Sequence, residues 1–443
     1  MRKLVLIVLA LSVSAGALER QPNADYRARR KALAEKTDGG VVVLFAATEA
    51  EGPNAVYGFR QDNNFYYLTG WAEPGAALLI APEIKPTATL PGRPYTEIFF
   101  LPAHNPSQEK WTGPKLGPES KDARAVTGFD RVELLDKLRD ELYKVLPQPR
   151  ASVYSDLPGF GENSPAAAPL EWLRRANAFP VYISLRDVKP LLTQLRMVKD
   201  SGELELIRKA TDASIAAHRA AMRAIKPGVT EREVSALMQH EFMRRGCERP
   251  AFAPIVGSGF DSTVLHYSAN AGTIDAGEVV VIDVGGEYSM YASDITRTLP
   301  ATGKFTPRQR EIYEIVLGTQ QAAINAFQAG KSTLGREAPD SLYQVAYDYI
   351  NTHGKDLHGK PLGQYFIHGL SHHVGLEVHD PSDGSPLDKG MVFTIEPGIY
   401  IPEEKLGIRI EDIFYVDESG KLINLSGGLP RTADEVERAM AGR

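Results

Sequence analysis

Five side chains in the C-terminal half of the chain have residue types and an order that could bind metal. They are Asp283, Asp294, His372, Glu396 and Glu411, and each lies in or beside an apolar run. An ionised carboxylate is costly to bury unless it is paired or bound to a cation. Each carboxylate alone is more simply explained as a polar residue that ends a strand. The prediction therefore rests on the joint pattern of four acids and one imidazole.

The charge and the atom types of this set indicate which ions it would bind. Four ionised carboxylates carry about four negative charges, which two divalent cations would neutralise. Oxygen-rich ligands with a single nitrogen favour Mn²⁺, with Zn²⁺ and Co²⁺ as alternatives. Two such ions about 3.5–4 Å apart form a hydrolytic centre that activates a bridging water. The pattern predicts a dinuclear hydrolase site.

The histidines of the chain are concentrated in one place. Four of the ten lie in the segment FIHGLSHHVGLEVHD at 366–380. Metal binding needs only one of them, so the others are available as hydrogen-bond donors or proton carriers. His266, in the segment VLHYSAN, stands apart and would be interpreted alone as a structural residue.

Arg409 is a further candidate because of its spacing from a predicted ligand. It lies two residues before Glu411, and on a β-strand such residues share one face. If Glu411 faces a metal centre, Arg409 does too, and its guanidinium could orient a carboxylate or a substrate through bidentate hydrogen bonds. The alternative is a surface ion pair of little energetic weight.

The candidate ligands fall mostly in runs typical of β-strands: EVVVIDVGG, SDITRTL, MVFTIEPGIYI and IRIEDIFYV. Residues 191–225 have apolar residues at helical spacing. Thr230 and Glu233 have the form of a capping box and begin the next helix, and two more helices are predicted within 307–350. We expect strands that carry the ligands and helices that pack against one face of the sheet.

The N-terminal part alternates short apolar runs with helical stretches, which predicts an α/β domain with a mixed sheet. The expected strands are VVVLF (41–45), AALLIAP (76–82) and TEIFFLP (96–102). The expected helices are RVELLDKLRDELYKVL (131–146) and PLEWLRRANAF (169–179). Stretches rich in proline and glycine at 83–94 and 102–118 predict surface loops. We place the domain boundary near 187–195, which gives an accessory domain at 18–190 and a catalytic domain at 191–443.

Composition excludes several classes of protein. The chain has 443 residues, of which 43% are hydrophobic, and a formal net charge of −6. This length suits two or three soluble domains. No run of lysine and arginine indicates nucleic-acid binding. Cys247 is the only cysteine, which excludes an internal disulfide and a cysteine-based zinc site.

Residues 1–17 have the pattern of a secretory signal peptide. Arg2 and Lys3 precede ten mostly apolar residues, and the small residues at 15–17 form a cleavage site. Ten residues are too few to span a bilayer, so we expect no stable membrane anchor. The pattern predicts export to a periplasm or to the medium.

Several motifs together resemble a known family. HYSAN, DVGGEYSMYASDITRT, HGLSHHVGLEVHD, TIEPGIYI and GIRIED are similar to the motifs of the proline-specific metallopeptidases with the pita-bread (creatinase/aminopeptidase) fold. The stretch FRQDNNFYYLTGWAEPGAALLI resembles the accessory domain of aminopeptidase P and prolidase. The resemblance covers most of residues 25–430. It implies a curved antiparallel sheet covered by helices in the C-terminal domain.

The resemblance also implies roles for individual residues. The family's metal ligands fall on the five residues named first: Asp283, Asp294, His372, Glu396 and Glu411. Its substrate and transition-state residues correspond to His266, His368, His379 and Arg409, and Tyr400 matches a position near the metals. Glu396 would also accept and deliver a proton. His373 stands where relatives often have an aromatic residue, which leaves the shape of the pocket open.

The implied activity is hydrolysis of an amino-terminal Xaa-Pro bond. The partners would be peptides with proline in second position, and relatives are often dimers or tetramers, so a homo-oligomer is expected. Prolidase, which cleaves only Xaa-Pro dipeptides, is the nearest alternative, and a non-catalytic peptide-binding module is another. Creatinase has this fold without metals, and the full ligand set argues against it.

Overall fold

The computed structural model describes residues 18–49, 57–88, 92–146, 150–157, 173 and 182–442. The predicted signal peptide lies outside these residues, and so does nearly all of the helix predicted at 169–179. Among the residues described, no helix is long and apolar enough to cross a membrane.

In the N-terminal part, the described residues include one six-stranded sheet and five helices with defined bounds. The strands are β1 (Val41–Phe45), β2 (Ala77–Ala81), β3 (Thr96–Leu101), β4 (Val132–Leu134), β5 (Arg150–Ser155) and β6 (Tyr182–Asp187). The helices are α1 (Asn23–Lys36), α2 (Asn63–Thr69), α3 (Pro106–Thr112), α4 (Ala123–Thr127) and α5 (Leu138–Val145).

The sheet has the order β4-β3-β2-β1-β5-β6. The pairs β1–β2 and β2–β3 are antiparallel, whereas β3–β4, β1–β5 and β5–β6 are parallel. β1 and β2 are buried over nearly their whole length, because both faces of the sheet are covered. The mixed sheet predicted from the sequence is confirmed.

Two predictions for this part are wrong. The stretch 131–146 is not one helix: it begins as β4 and continues through a short 3₁₀ turn into α5. The β-branched Val132 pairs with Phe99 of β3, and this pairing overrides the helical spacing. The predicted loop at 102–118 contains α3, which Asn105 caps by accepting from the Gln108 N–H ahead of Pro106.

A connecting helix, α6 (Lys189–Arg196), leads into the C-terminal part. Its other helices are α7 (Ser201–Ala224), α8 (Glu231–Met243), α9 (Pro307–Ala326), α10 (Leu342–His353) and α11 (Ala433–Ala441). Its strands are β7 (Arg249–Pro250), β8 (Ile255–Ser258), β9 (Val279–Val284), β10 (Gly286–Tyr288), β11 (Tyr291–Ala292), β12 (Ile295–Pro300), β13 (Val392–Ile395), β14 (Gly398–Ile401), β15 (Leu406–Arg409), β16 (Asp412–Val416) and β17 (Leu422–Asn424). The capping box predicted at Thr230 and Glu233 is present at the start of α8.

The strands of the C-terminal part pair in four short antiparallel sheets. Their orders are β11-β10-β7, β12-β9-β8, β13-β16-β17 and β14-β15. Helices α7, α8 and α9 pack against these sheets. The predicted arrangement of antiparallel strands covered by helices is therefore confirmed.

The hydrophobic core joins the two parts of the chain. One cluster of buried residues fills the C-terminal part and another lies on one face of the N-terminal sheet. A third combines residues of the N-terminal sheet, such as Leu44 and Leu78, with Leu206, Val374 and Leu376 of the C-terminal part. A continuous apolar contact of this kind fixes the position of one domain against the other.

Candidate active site

A cavity of about 490 Å³ lies where the antiparallel sheets of the C-terminal part meet. Every site residue predicted from the sequence except Tyr400 lines it. Apolar side chains form part of its wall, including Phe252, Ile255 and Val378. Tyr400 lies behind the wall and is buried.

The strands deliver the acidic side chains to this cavity mostly from their ends. Asp283 lies within β9, opposite Thr296 of β12. Asp294 precedes β12, Glu396 follows β13, and Glu411 stands between β15 and β16. The expectation that the ligands lie on strands therefore holds only for Asp283. The other acids sit where the backbone leaves a sheet, which lets side chains from separate sheets converge.

Three of the predicted ligands form a compact set. Potential ligand atoms of Asp294, His372 and Glu411 all lie within 4.8 Å of one another. His372 Nε2 is 3.4 Å from Asp294 Oδ2 and 3.8 Å from Glu411 Oε1. It is also 3.4 Å from Oε1 of Glu396. Asp283 stands at the edge of this set, where Arg409 binds one of its oxygens.

The buried oxygens of this set fit a cation. Asp283 Oδ1, Asp294 Oδ1 and Glu411 Oε1 are buried and have no hydrogen-bond partner among the described residues. Buried polar atoms are normally paired, and a buried anionic oxygen without a donor is especially costly. Three unpaired carboxylate oxygens beside an imidazole nitrogen are therefore suited to hold metal.

The protein shifts the protonation of these acids. Burial, together with Asp283 and Glu396, raises the pKa of Asp294 well above its ordinary value. Burial also raises the pKa of Glu411 well above its ordinary value, and Asp294 adds to the effect. The pKa of Glu396 is raised by burial, although His372 and Arg409 oppose the shift. Without cations, the site favours protonated carboxyls.

A directed hydrogen-bond chain forms one wall of the cavity. Arg409 donates from one terminal nitrogen to Asp283 Oδ2 at 2.6 Å and from the other to the Tyr400 hydroxyl at 2.8 Å. His368 Nε2 lies 2.7 Å from the same hydroxyl, and its Nδ1 lies 2.7 Å from the Gly369 carbonyl.

These hydrogen bonds fix the tautomer of His368. Burial lowers the pKa of His368 to about 4, so the ring is neutral near pH 7. The Gly369 carbonyl can only accept, so the ring proton is on Nδ1 and Nε2 accepts from Tyr400. The Tyr400 hydroxyl in turn accepts from Arg409. Each member of the wall therefore has one defined orientation.

Thr296 is a site residue that the sequence interpretation missed. Its hydroxyl donates to Glu411 Oε2 at 2.6 Å and accepts from Arg409 Nε at 3.2 Å. The signal was the alternation in SDITRT, because Asp294 and Thr296 are two residues apart in an extended stretch. Thr296 thus ties a candidate ligand to the arginine that binds another.

His266 and His379 are exposed histidines at the mouth of the cavity. The rings of His379 and His372 have centroids 4.2 Å apart in an edge-to-face arrangement. Desolvation lowers the pKa of His379, and His372 and His266 lower it further. His266, which considered by itself was interpreted from the sequence as a structural residue, lines the same cavity as His379.

His373 has a different environment from its neighbours. It is buried, its backbone pairs with Asp380 and Phe393, and its side chain does not line the cavity. Burial lowers its pKa to about 4, and Lys199 adds to the effect. The open question about pocket shape is answered in part, because this residue does not line the cavity.

Sequence and structure comparisons agree with this geometry. The family "Metallopeptidase family M24" matches residues 205–418, and "Aminopeptidase P, N-terminal domain" matches residues 26–154. The chain is 33% identical to the Xaa-Pro aminopeptidase of Escherichia coli K12, over 94% of this chain and 97% of that protein. It is 34% identical to human Xaa-Pro aminopeptidase 3, over 91% and 81%. Among solved structures, proline aminopeptidase P II from Yersinia pestis superposes with a TM-score of 0.81 at 32% identity, covering 96% of this chain and all of that one.

The antiparallel sheets, the converging acids and these matches define a metallopeptidase with the pita-bread fold. The chain belongs to metallopeptidase family M24 and has the accessory domain of the aminopeptidase P type. It is a metallo-aminopeptidase, as the motifs predicted.

Proposed function

We propose that this chain removes the first residue of peptides that have proline in second position, using a dinuclear metal centre. The observation that carries the proposal is the convergence of unpaired carboxylate oxygens and His372 beside the wall of Arg409, Tyr400 and His368. The names of the relatives, which are Xaa-Pro aminopeptidases, support the substrate class.

Five residues would hold the ions: Asp283, Asp294, His372, Glu396 and Glu411. Bound divalent ions at this position would lower the pKa of a coordinated water and supply hydroxide at neutral pH. The donor set is rich in oxygen and has one nitrogen, which favours Mn²⁺ over Zn²⁺ or Co²⁺.

Glu396 would move the proton of the attacking water. Its Oε1 lies 3.4 Å from His372 Nε2, and its Oε2 lies 3.8 Å from His368 Nδ1, on the side of the proline wall. A carboxyl between the nucleophile and the leaving nitrogen can accept a proton on one side and deliver it on the other. The oxygen of the water would bond to the acyl carbon, and the C–N bond would break as the proline nitrogen takes up the proton and leaves.

His379 and His266 would bind the carbonyl oxygen of the scissile bond. Their exposed rings at the mouth face incoming substrate, and the lowered pKa of His379 keeps it a neutral N–H donor. Donors already in place where negative charge develops stabilise the transition state.

The wall formed by His368 and Arg409, with Tyr400 buried behind it, would receive the proline ring. Proline has no backbone N–H, so a peptidase must recognise it by shape. The rings of His368 and Tyr400 have centroids 5.3 Å apart, and Phe366 packs edge-on against His368. Because Tyr400 hydrogen-bonds both His368 and Arg409, the wall offers a rigid surface.

The test is digestion of an Xaa-Pro-Xaa tripeptide with and without added Mn²⁺, together with metal analysis. We expect release of the first residue, about two ions per chain, and loss of both in Asp294→Ala. The control Asp434→Ala removes a surface carboxylate that pairs with Arg310 and should behave as wild type. Full activity of Asp294→Ala would refute the assignment.

The same assay separates the alternatives. A strict prolidase would cleave Xaa-Pro dipeptides and leave the tripeptide intact. A non-catalytic module would bind peptide without releasing any residue, whatever metal is added.

Export and assembly are further parts of the proposal. The pattern of residues 1–17 supports cleavage after Ala17 and release into a periplasm or the medium. N-terminal sequencing of the protein from its host should give Leu18 as first residue, and an intact Met1 would refute export by this route. The homo-oligomer stays a prediction, which light scattering of the purified protein tests.

A further inference from the structure

The loop that carries His379 is held by an unusually polar anchor. The side chain of the next residue, Asp380, is 1% exposed. It accepts from Arg196 at 2.7 Å and from Lys199 at 2.9 Å. Burial opposes its charge, but these two cations hold the pKa of Asp380 below its ordinary value.

Asp380 also organises the loop itself. Its Oδ1 accepts from the Glu377 backbone N–H, and its own N–H donates to the His373 carbonyl. Gly375 makes room for it, because a Cβ there would lie 2.5 Å from Asp380 Oδ2. Asp380, the residue after His379, therefore fixes the loop at Glu377 through its carboxylate and at His373 through its backbone N–H.

Two side chains of the N-terminal domain contact Arg196 and the His379 loop. Asn64 of α2 accepts from Arg196 at 2.8 Å and donates through its amide to Asp156 at 2.7 Å. Arg60, just before α2, donates to the Leu376 carbonyl at 2.8 Å. Arg60 and Asn64 thus link the N-terminal domain to residues 376–380, directly and through Arg196. None of these side chains lines the catalytic cavity.

We propose that the N-terminal domain positions His379 for catalysis through the buried network of Asn64, Arg196 and Asp380. Arg196 cannot shift without losing Asn64 or Asp380, so the orientation of α2 sets the position of the loop. These three are positioning residues, since they act through His379. The inference rests on the proposed function of His379 as a donor to the scissile carbonyl.

The chain supplies a closely matched control. Gln21 is a second buried amide that bridges the two domains: its oxygen accepts from Arg29 at 2.6 Å and its nitrogen donates to Asp200 at 2.7 Å. It makes the same pair of contacts as Asn64 but has no link to residues 376–380. The variants Asn64→Leu and Gln21→Leu therefore remove equivalent hydrogen bonds at different places in the domain interface.

The test measures kcat, KM and metal content for an Xaa-Pro-Xaa peptide. A displacement of about 1 Å in a catalytic group can cost on the order of 100-fold in rate, so we expect Asn64→Leu to lower kcat by about 10- to 100-fold. KM and metal content should stay near wild type. Gln21→Leu should keep wild-type kcat, even if its melting temperature falls as much.

A double-mutant cycle with His379→Ala tests whether the effect passes through that ring. Once the ring is absent, Asn64→Leu should lower kcat no further, because coupled residues are not additive. Full additivity, or equal kcat for Asn64→Leu and Gln21→Leu, would overturn the inference while the peptidase activity stands. Absence of Xaa-Pro cleavage in the wild type would instead refute the proposed function.

If Asn64→Leu folds poorly, a second variant, Arg196→Lys, provides the test. Arg196→Lys keeps the charge beside Asp380 but loses the fork that reaches Asn64 and Asp380 together. The same kcat loss, absent in the His379→Ala background, supports the positioning role. An unchanged kcat in a folded Arg196→Lys variant contradicts it.

Discussion

The guanidinium of Arg409 holds one oxygen of Asp283 at 2.6 Å, while the other oxygen of that carboxylate has no hydrogen-bond partner in the described part of the chain. This division gives Asp283 two different faces. One face is oriented by a buried cationic side chain, and the other is free for a metal ion. Because Arg409 also donates to Tyr400, one residue aligns the candidate metal ligands with the wall that contains His368.

Replacing Arg409 by lysine tests whether one side chain must bind Asp283 and Tyr400 together. A lysine keeps the positive charge, but it cannot reach Asp283 and Tyr400 with a rigid fork. Loss of one charged hydrogen bond is worth about 1.5–3 kcal/mol. We expect Arg409→Lys to lower kcat/KM for an Xaa-Pro-Xaa peptide by roughly 10- to 100-fold.

A second arginine that binds a carboxylate through two nitrogens supplies the control for this substitution. Arg308 binds Glu404 through two nitrogens at 2.7 and 2.8 Å, away from the cavity. Arg308→Lys should leave kcat/KM within about twofold, since this pair does not line the cavity. If both variants lost activity equally, the aligning role of Arg409 would be wrong.

Thr296→Val tests the link between Arg409 and Glu411. Valine keeps the shape but leaves Arg409 Nε and Glu411 Oε2 without the hydroxyl that joins them. Residues that orient metal ligands typically contribute about 10- to 100-fold in metal affinity. We expect a weaker affinity for Mn²⁺ within this range, measured by calorimetric titration.

Thr298 is the matched comparison for Thr296. Its hydroxyl bonds the backbone N–H and carbonyl of Arg409, both at 3.0 Å, and it touches no carboxylate. Thr298→Val should destabilise the fold by about 1–3 kcal/mol and leave the Mn²⁺ affinity unchanged. Equal affinities in the two valine variants would count against the role given to Thr296.

Local sequence patterns predicted the parts of the fold that depend on neighbours in the chain. The runs VVVLF and EVVVIDVGG form the buried strands β1 and β9, because continuous apolar runs of β-branched residues fit strands covered on both sides. The stretch 131–146 failed because Val132 takes its conformation from Phe99, a partner distant in sequence. Helical spacing carried no information about that pairing.

Prediction of the candidate site from the sequence was limited in the same way. The acids and histidines were identified because they interrupt apolar runs, where a charged residue needs a reason. Arg196 and Asp380 gave no such signal, since each looks like an ordinary surface charge in the sequence. They are 184 residues apart, and only the packing of α6 against the His379 loop makes them a buried pair.

Metal removal should destabilise the protein, and the effect should grow with pH. Burial raises the pKa of Asp294 and of Glu411. A raised carboxyl pKa stabilises the metal-free fold below the ordinary value of about 4, and this stability is lost as pH rises through the folded pKa. Ions favour the ionised carboxylates. We therefore expect the melting temperature of the metal-free protein to fall as pH rises above about 4, and the gap to the metal-bound protein to widen.

Asp294→Asn isolates this contribution from the other acids of the chain. Asparagine cannot ionise, so the metal-free variant should show a smaller fall in melting temperature over the same range. It should also gain little from added Mn²⁺. Identical pH profiles for the metal-free wild type and variant would show that Asp294 does not titrate in the buried site.

Glu231 should control the mobility of His266 from a distance. This carboxylate is fully buried and accepts from the Ser258 N–H and hydroxyl, from Tyr267 and from the Gly272 N–H. It therefore ties together both ends of the loop that carries His266. Glu231→Gln removes two acceptor sites and the charge, and hydrogen bonds to charged groups contribute about 1.5–3 kcal/mol each. We expect faster amide exchange across residues 258–272 and a lower kcat.

Glu233 is the appropriate control because it lies on the same helix and caps its first turn. Glutamine also serves in a capping box, so Glu233→Gln should leave both exchange and kcat near wild type. The loop is held at Glu231 by a charged acceptor with four donors, so relaxation there should be local, and exchange in α9 should stay slow in both variants. If Glu231→Gln accelerated exchange across the whole C-terminal domain, the carboxylate would be supporting the core rather than the His266 loop.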